Sequence, residues 1–587
     1  MNITNQLDEH TSFNLGKKNH VQYSWSNNFH EKFVQLSFQL VRCSEKGHED
    51  IRNKLIHLIL SLKNKERENF EEFKNLFKLI GHTRDIISGK GEQKLSFLQI
   101  LTWYDFYPQM AKFAFSRFVN ETDEAHPFGS WKDVKYFANY IRDNKGINHE
   151  LIQWLVELSN NQLSIDLQNY NSDNKLSLVA KWLPREKSKK FGWFNKILAT
   201  NYYKQYMVTA NTIKRKRLAI KKCVTKYRKE LSKLNKILDT TQIKMTGQNW
   251  REIEHSKTTS LTIRKNKLAF INKTCKGKKR SDNEDRIQCS NNFKDFLEDV
   301  KCGKKNIHGR RCNIGELVKD AIQANGTNNK DLIDTVNLQW NDNKKNNTNM
   351  GNMIPMCDTS YSMWCDNSLP LYNSIGLSIR ASECASGPFR NRVITFSQSP
   401  CWVKFTDENT FCEKVRLLLA VNTGLNTNFY AALKLILDVC IKYNISPTEV
   451  ENMILAVFSD MQIDIANKIS GSGFGNPENL PLKTMFEAIK DKYSEAGMKT
   501  NFKTPYKNPH ILFWNLKKTN GFPTLSSEKN TTMISGYSSQ LLNVFADKGF
   551  NELKKVSGYS MLLKILSNPR YKTLEIFAEH TLNSLKI

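Results

Sequence analysis

From residue 26 to about residue 340, apolar side chains return every three or four positions. Phe29, Phe33, Leu36 and Leu40 form one series, Leu55, Ile59 and Leu62 a second, Trp131, Val134, Phe137 and Ile141 a third, and Leu151, Leu155 and Leu158 a fourth. That spacing puts one apolar stripe along a helix and predicts serial amphipathic helices. Directly after Gly129, Ser130 with Asp133 resembles a capping box for the third of them. β-Branched runs are scarce here and no fixed repeat period emerges. The pattern therefore predicts an all-α half, built as a helical repeat or an irregular bundle.

The texture changes after Trp340–Gly351 (WNDNKKNNTNMG), whose Asn- and Lys-rich composition predicts a linker. Lys273–Ser290, polar and mixed in charge, predicts a second loose stretch. Beyond residue 351, Met353–Cys357, Val393–Phe396, Ile454–Phe458, Ile511–Leu516 and Thr532–Ser535 are short apolar or β-branched runs suited to buried strands. Between them, Phe429, Leu433, Ile436, Leu437 and Cys440 have helical spacing. Strands alternating with helices predict a parallel sheet covered on both faces. The expected division is a flexible start at 1–25, a helical domain at 26–340, a linker at 341–351, an α/β domain at 352–550 and a helical extension at 551–587.

Composition narrows the class. The 587 residues are 39% hydrophobic and 25% charged, near the globular average, which argues against wholesale disorder. No run of 18 apolar residues predicts a membrane-spanning helix, and the opening MNITNQLDEH lacks the basic and apolar regions of a secretory leader. The twelve cysteines contain no CxxC pair, so zinc ribbons and fingers are not expected. Reduced thiols in the cytoplasm or nucleus are the default expectation, with the virion a further option if the chain is viral.

The net charge of +29 is local. Residues 181–280 hold 29 Lys and Arg against 5 Asp and Glu, an excess of 24. That stretch carries Lys214, Arg215, Lys216 and Arg217, then Lys221, Lys222, Lys226, Arg228 and Lys229, with Trp182, Phe191, Trp193, Phe194, Tyr202, Tyr203 and Tyr206 interleaved upstream. Clustered cations attract a phosphate backbone, and aromatic faces stack on unpaired bases, so RNA is the expected partner. The blander reading is a solvated helix face with the aromatics in the core. The Lys214–Arg217 run also fits a nuclear import signal.

The first predicted strand of the α/β domain runs into Asp358-Thr359-Ser360-Tyr361-Ser362, a DxSxS pattern. Thr427 falls in a loop before the Phe429 helix, and the Ile454–Phe458 strand ends in Ser459-Asp460. Ligands of open α/β sheets bind at the carboxyl ends of strands, where all three pieces are expected. This combination resembles the von Willebrand factor A domain, a Rossmann-like fold, and its metal-ion-dependent adhesion site. The resemblance implies that Asp358, Ser360, Ser362, Thr427 and Asp460 surround one divalent cation, with Tyr361 standing where that family often has Gly. Magnesium or manganese held by two carboxylates and three hydroxyls keeps a position open for an outside carboxylate or phosphate oxygen. The bland alternative is that the hydroxyls cap the following helix while Asp358 bonds backbone amides.

Longer segments widen the resemblance. Ser88–Tyr104, Pro127–Val134, Ser177–Glu186, Tyr227–Leu238, Asn249–Lys257, Gly387–Pro400 and His510–Leu516 are similar to an uncharacterised family of plants, fungi and large DNA viruses. That family joins a helical half to a von Willebrand A half. The arrangement is also similar to the Ro autoantigen, in which a helical ring that binds RNA is closed by such a domain.

Catalytic signatures are scarce. There is no HExxH, and neither Ser88–Gly91 nor Gly471–Gly475 has the GxxxxGK[ST] spacing of a phosphate loop; both predict turns. The expected function is a non-enzymatic, RNA-associated scaffold with no membrane contact, whose metal site captures an acidic group. Alternatives are a metal-dependent protein–protein adaptor and a metal-dependent RNA hydrolase.

Overall fold

The computed structural model describes residues 13–16, 20–63, 70–120, 126–171, 175–396, 400–421, 429–462, 484–546 and 556–584. Two short strands, β1 (Phe13–Leu15) and β2 (Val21–Tyr23), pair antiparallel within the stretch expected to be a flexible start. Val21 and Tyr23 are buried, and Tyr23 exchanges backbone hydrogen bonds with Phe522, so tertiary contacts order a segment whose own sequence is polar. Helices follow in series, among them α1 (Phe29–Gln39), α2 (Phe70–Arg84), α3 (Lys132–Lys145), α4 (Lys204–Val208) and α5 (Ile213–Ile237).

The Ser130–Asp133 box forms only in part. Asp133 accepts from the Ser130 amide at 3.2 Å, but α3 starts at Lys132, and the same carboxylate oxygen takes Arg84 Nε and Nη2 at 2.9 and 2.6 Å. A buried ion pair between α2 and α3 claims the acid that a cap would use.

Both stretches expected to be loose are built into the fold. The first residues of the linker continue α6 (Lys330–Lys344), where Trp340 is buried and Asn343 Nδ2 donates to the carbonyls of Gly309, Arg310 and Cys312. Asn347 then donates to the Ser539 carbonyl at 2.9 Å. Asparagine amides here tie backbone together, which composition alone reads as loop. Within Lys273–Ser290, a helix capped by Asn283 begins at Glu284.

The α/β domain holds six strands in the order β5-β4-β3-β6-β7-β8. They are β3 (Met353–Asp358), β4 (Arg392–Phe396), β5 (Cys401–Lys404), β6 (Ile454–Ser459), β7 (His510–Asn515) and β8 (Thr531–Ser535). All pairs are parallel except β4 with β5, the half-exposed edge strand that no apolar run announced. β3, β6, β7 and β8 are buried at every position, as expected of strands covered on both faces. One face, through Ile354, Met356, Leu455, Val457, Ile511 and Phe513, joins the core of the helical half. The other face, through Cys357, Phe458, Leu512 and Trp514, packs on α7 (Cys365–Cys384).

The two parts interlock. Asn515 donates to the Phe38 carbonyl at 3.2 Å, and Gln39 to the Thr519 carbonyl at 3.1 Å. The loop after α2 carries Lys90, wholly buried, whose ammonium donates to the carbonyls of Ser37 and Leu40 and to Ser535 Oγ at the end of β8. At the far end, α8 (Gly558–Leu566) and α9 (Lys572–Ser584) return to the helical half. Arg570 grips Asp85 with two 2.7 Å bonds, and Phe577 stacks on Phe113 at 3.9 Å. Among the described residues no helix is long and apolar enough to cross a membrane.

Candidate functional site

β3 lies between β4 on one side and β6 on the other, so strand order reverses between β3 and β6. The carboxyl ends of these two strands flank that crevice, where open sheets hold ligands. Asp358 is the last residue of β3, Asp460 follows β6, and both are buried. The loop after β3 folds back on its own carboxylate: the Ser360 amide donates to Asp358 Oδ1 at 2.9 Å. Ser362 lies in a short 3-10 turn (Tyr361–Trp364), and its hydroxyl is 3.1 Å from that of Ser360. Two carboxylates and two hydroxyls of the expected set therefore meet at one strand edge. Thr427 lies outside the described residues, as does Gly471–Gly475.

The sequence reading placed Ser459 at its strand end without a role. Its hydroxyl donates to Asp358 Oδ2 at 2.5 Å and accepts from the Met461 amide at 3.0 Å, so it orients the first carboxylate. Burial raises the Asp358 pKa well above the carboxylate range, and the Asp460 charge adds to the effect. Among the described residues no group of three or more His, Cys, Asp or Glu could hold a metal ion, so any cation here rests on hydroxyls as much as on carboxylates.

A cleft of about 350 Å³ opens over this edge, lined by Ser362, Asp460, Gln462, Lys517, Lys518 and Gln22. Lys517 was also missed, although its place two residues after β7 puts it on the same sheet edge. Its ammonium donates to Cys365 Sγ at 2.8 Å. Burial works to lower its pKa, but Cys365, Asp460 and Asp366 outweigh that and hold it above the ordinary lysine value. Behind the motif, Asp366, Asn367 and Ser368 take left-handed backbone angles, φ 51°, 58° and 60°. Such non-glycine residues cost on the order of 1–3 kcal/mol each and persist only where surrounding structure holds them.

The basic segment forms a second, separate surface. Thr212 caps α5 by accepting from the Arg215 amide, and Ala219, Cys223, Tyr227, Leu231 and Leu234 form its buried stripe. Lys214, Arg215, Lys216, Arg217, Lys221, Lys222, Lys226, Arg228 and Lys229 are all exposed. Among the described residues the one α5 cation with a carboxylate within reach is Arg228, 3.5 Å from Glu186. The aromatics divide: Phe191 and Phe194 are core, while Trp182, Trp193, Tyr202, Tyr203 and Tyr206 are half-buried. Lys222 stands 4.1 Å over the Tyr206 ring, and Lys226 donates to the Tyr206 hydroxyl, holding it below the usual phenol range.

Residues 352–566 match the model of a domain of unknown function (DUF7788), and residues 151–353 match a second (DUF2828). The junction of the two falls at the start of β3. The chain is similar to the uncharacterized protein L728 of Acanthamoeba polyphaga mimivirus, 28% identical over 514 residues that cover 85% of this chain and 80% of that protein. Among solved structures, the Ro (RSR) protein of Deinococcus radiodurans aligns over 88% of this chain and 99% of its own, at 10% identity and a TM-score of 0.32.

Proposed function

We propose that the chain is a non-enzymatic, RNA-associated scaffold whose basic helical half holds RNA and whose sheet edge takes a divalent cation that captures an acidic group of a partner. One observation carries this reading: α5 turns a long row of cations to solvent with a single carboxylate in reach among the described residues. A helix face that only needed solubility would interleave both signs. A phosphate chain supplies the missing counter-charge.

Asp358, Asp460, Ser360 and Ser362 suit Mg²⁺ or Mn²⁺, hard ions that take oxygen ligands, and the family resemblance adds Thr427. The convergence of two buried carboxylates with two neighbouring hydroxyls supports that fit. Bound there, the cation would supply a Lewis-acidic position for an outside oxygen. The Lys517 ammonium at the cleft favours an anionic group, which also suits a second reading, a metal-dependent protein–protein adaptor.

Gel shifts with RNA at two salt concentrations test the proposal. Binding should weaken steeply with salt, and replacing Lys214–Arg217, Lys221 and Lys222 by Gln should lower both affinity and salt dependence. Absence of binding at low salt would overturn it. A partner captured after nuclease treatment, then lost with EDTA and in Asp358→Ala, would favour the adaptor.

A further inference from the structure

The cations of α5 are not spread evenly around it. At 3.6 residues per turn, Arg215, Lys222, Lys226, Lys229, Lys233 and Lys236 fall in one row, spaced by seven and then alternately by four and three. The row lies to one side of the buried Cys223–Tyr227 stripe and spans about 31 Å at 1.5 Å per residue. Two tyrosines from other parts of the chain border it. Tyr206, on α4, lies beside Lys222 and Lys226, at 4.1 and 5.0 Å from ring centre to ammonium. Tyr170, in the 3-10 turn Asn169–Asn171, lies beside Lys233 at 3.6 Å. Both rings are half-buried, and neither belongs to the fully buried core.

We infer that this row is a track for one unpaired nucleic-acid strand, its phosphates along the lysines and its bases stacked at Tyr206 and Tyr170. The inference rests on the proposed RNA-binding role and narrows its ligand to single-stranded segments. A duplex would satisfy the lysines, but its bases are stacked on one another and offer the two rings nothing. An unpaired strand uses both features at once, because every base has a π-face. The row accommodates about nine nucleotides at a stacked spacing of roughly 3.4 Å.

Fluorescence anisotropy of the full chain with a labelled single-stranded RNA, and with the same RNA annealed into a blunt duplex, tests the assignment. We expect the single strand to bind more tightly. The double variant Tyr170→Leu/Tyr206→Leu should lose about tenfold or more on the single strand, with little change in salt slope or in duplex affinity. Tyr170→Phe/Tyr206→Phe should bind as the parent does, since stacking needs the ring and not the hydroxyl, and this pair also controls for folding. Equal affinity for single strand and duplex, or a leucine variant that binds the single strand normally, overturns the track and leaves the RNA-binding role standing. Failure of both RNAs to bind at low salt overturns that role and the track together.

Discussion

Lys90→Met removes a buried cation that the helical half inserts at the carboxyl end of β8. The Lys90 ammonium donates to the Ser37 carbonyl at 2.5 Å, the Leu40 carbonyl at 3.3 Å and Ser535 Oγ at 2.6 Å. In the variant, the single Ser535 Oγ proton can go to the Ser37 carbonyl at 2.9 Å or the Leu40 carbonyl at 3.4 Å, so one of the two carbonyls is left short. One such buried acceptor costs about 1–3 kcal/mol. The cost should depend on pH, because burial lowers the Lys90 pKa to about 7 while an unfolded lysine keeps its ordinary 10.5. Between those values the unfolded chain binds a proton that the folded chain lacks, so stability rises with pH, by about 1.4 kcal/mol per unit at most. Below pH 7 both states are protonated and the slope vanishes. From pH 6 to pH 9 the parent should gain about 2–3 kcal/mol over Lys90→Met. The facing groups do not mask this: His82 stays neutral, its pKa lowered to about 3 by burial, and Glu92 is paired with Arg42 at 2.9 Å. Urea unfolding of both proteins at pH 6 and pH 9 measures the difference. A stability gap that is the same at both pH values would refute the reasoning.

Asp133→Ala strands Arg84 in a buried site and should cost about 3–5 kcal/mol, read as a large drop in melting temperature; a drop within error would show that the pair is not sealed from water. Magnesium at a hundred times its dissociation constant should stabilise the parent by about 2.7 kcal/mol, and Asp358→Asn should abolish that thermal shift. An Asp358→Asn protein that still responds in full would place the cation elsewhere. Arg570→Met should leave Asp85 with its local amide bonds but free the C-terminal helices, at a cost of about 1–3 kcal/mol and with faster proteolysis near residue 570. Unchanged cleavage would argue that the Phe577–Phe113 stack and the Lys74–Glu579 and Lys78–Glu575 ion pairs hold them without Arg570.

The strands of the α/β domain were legible because burial on both faces leaves an unbroken apolar run, as at Ile454–Phe458. β5 escaped for the converse reason: an antiparallel edge strand, half exposed, has no such run. Asp358, Ser360, Ser362 and Asp460 were legible because each closes or follows a strand in the order of a recognisable motif. Ser459 was placed at its strand end without a role and Lys517 was not singled out, since neither residue type is unusual; the register of β6 and β7 brings both to the same edge. The linker misled because asparagine favours loops by composition, yet its amide also bonds buried carbonyls, as Asn343 does. The exposed face of α5 and Tyr206 followed from the charge run and the aromatics just upstream of it, but Tyr170 comes from the separate turn Asn169–Asn171 and only the fold brings it to Lys233.

α1 and the Lys90 loop before the two matched segments, and α9 after them, pack into the same structure, so the matched segments alone are not the unit of folding. The two matched segments, 151–353 and 352–566, both begin after residues 29–40 and Lys90, which cover the end of β8. α9 lies beyond both as well. A fragment cut to the second segment would keep the carboxylates of the sheet edge but lose the β1–β2 wall and the lysine plug. A chain built from that segment alone would need another way to close the sheet.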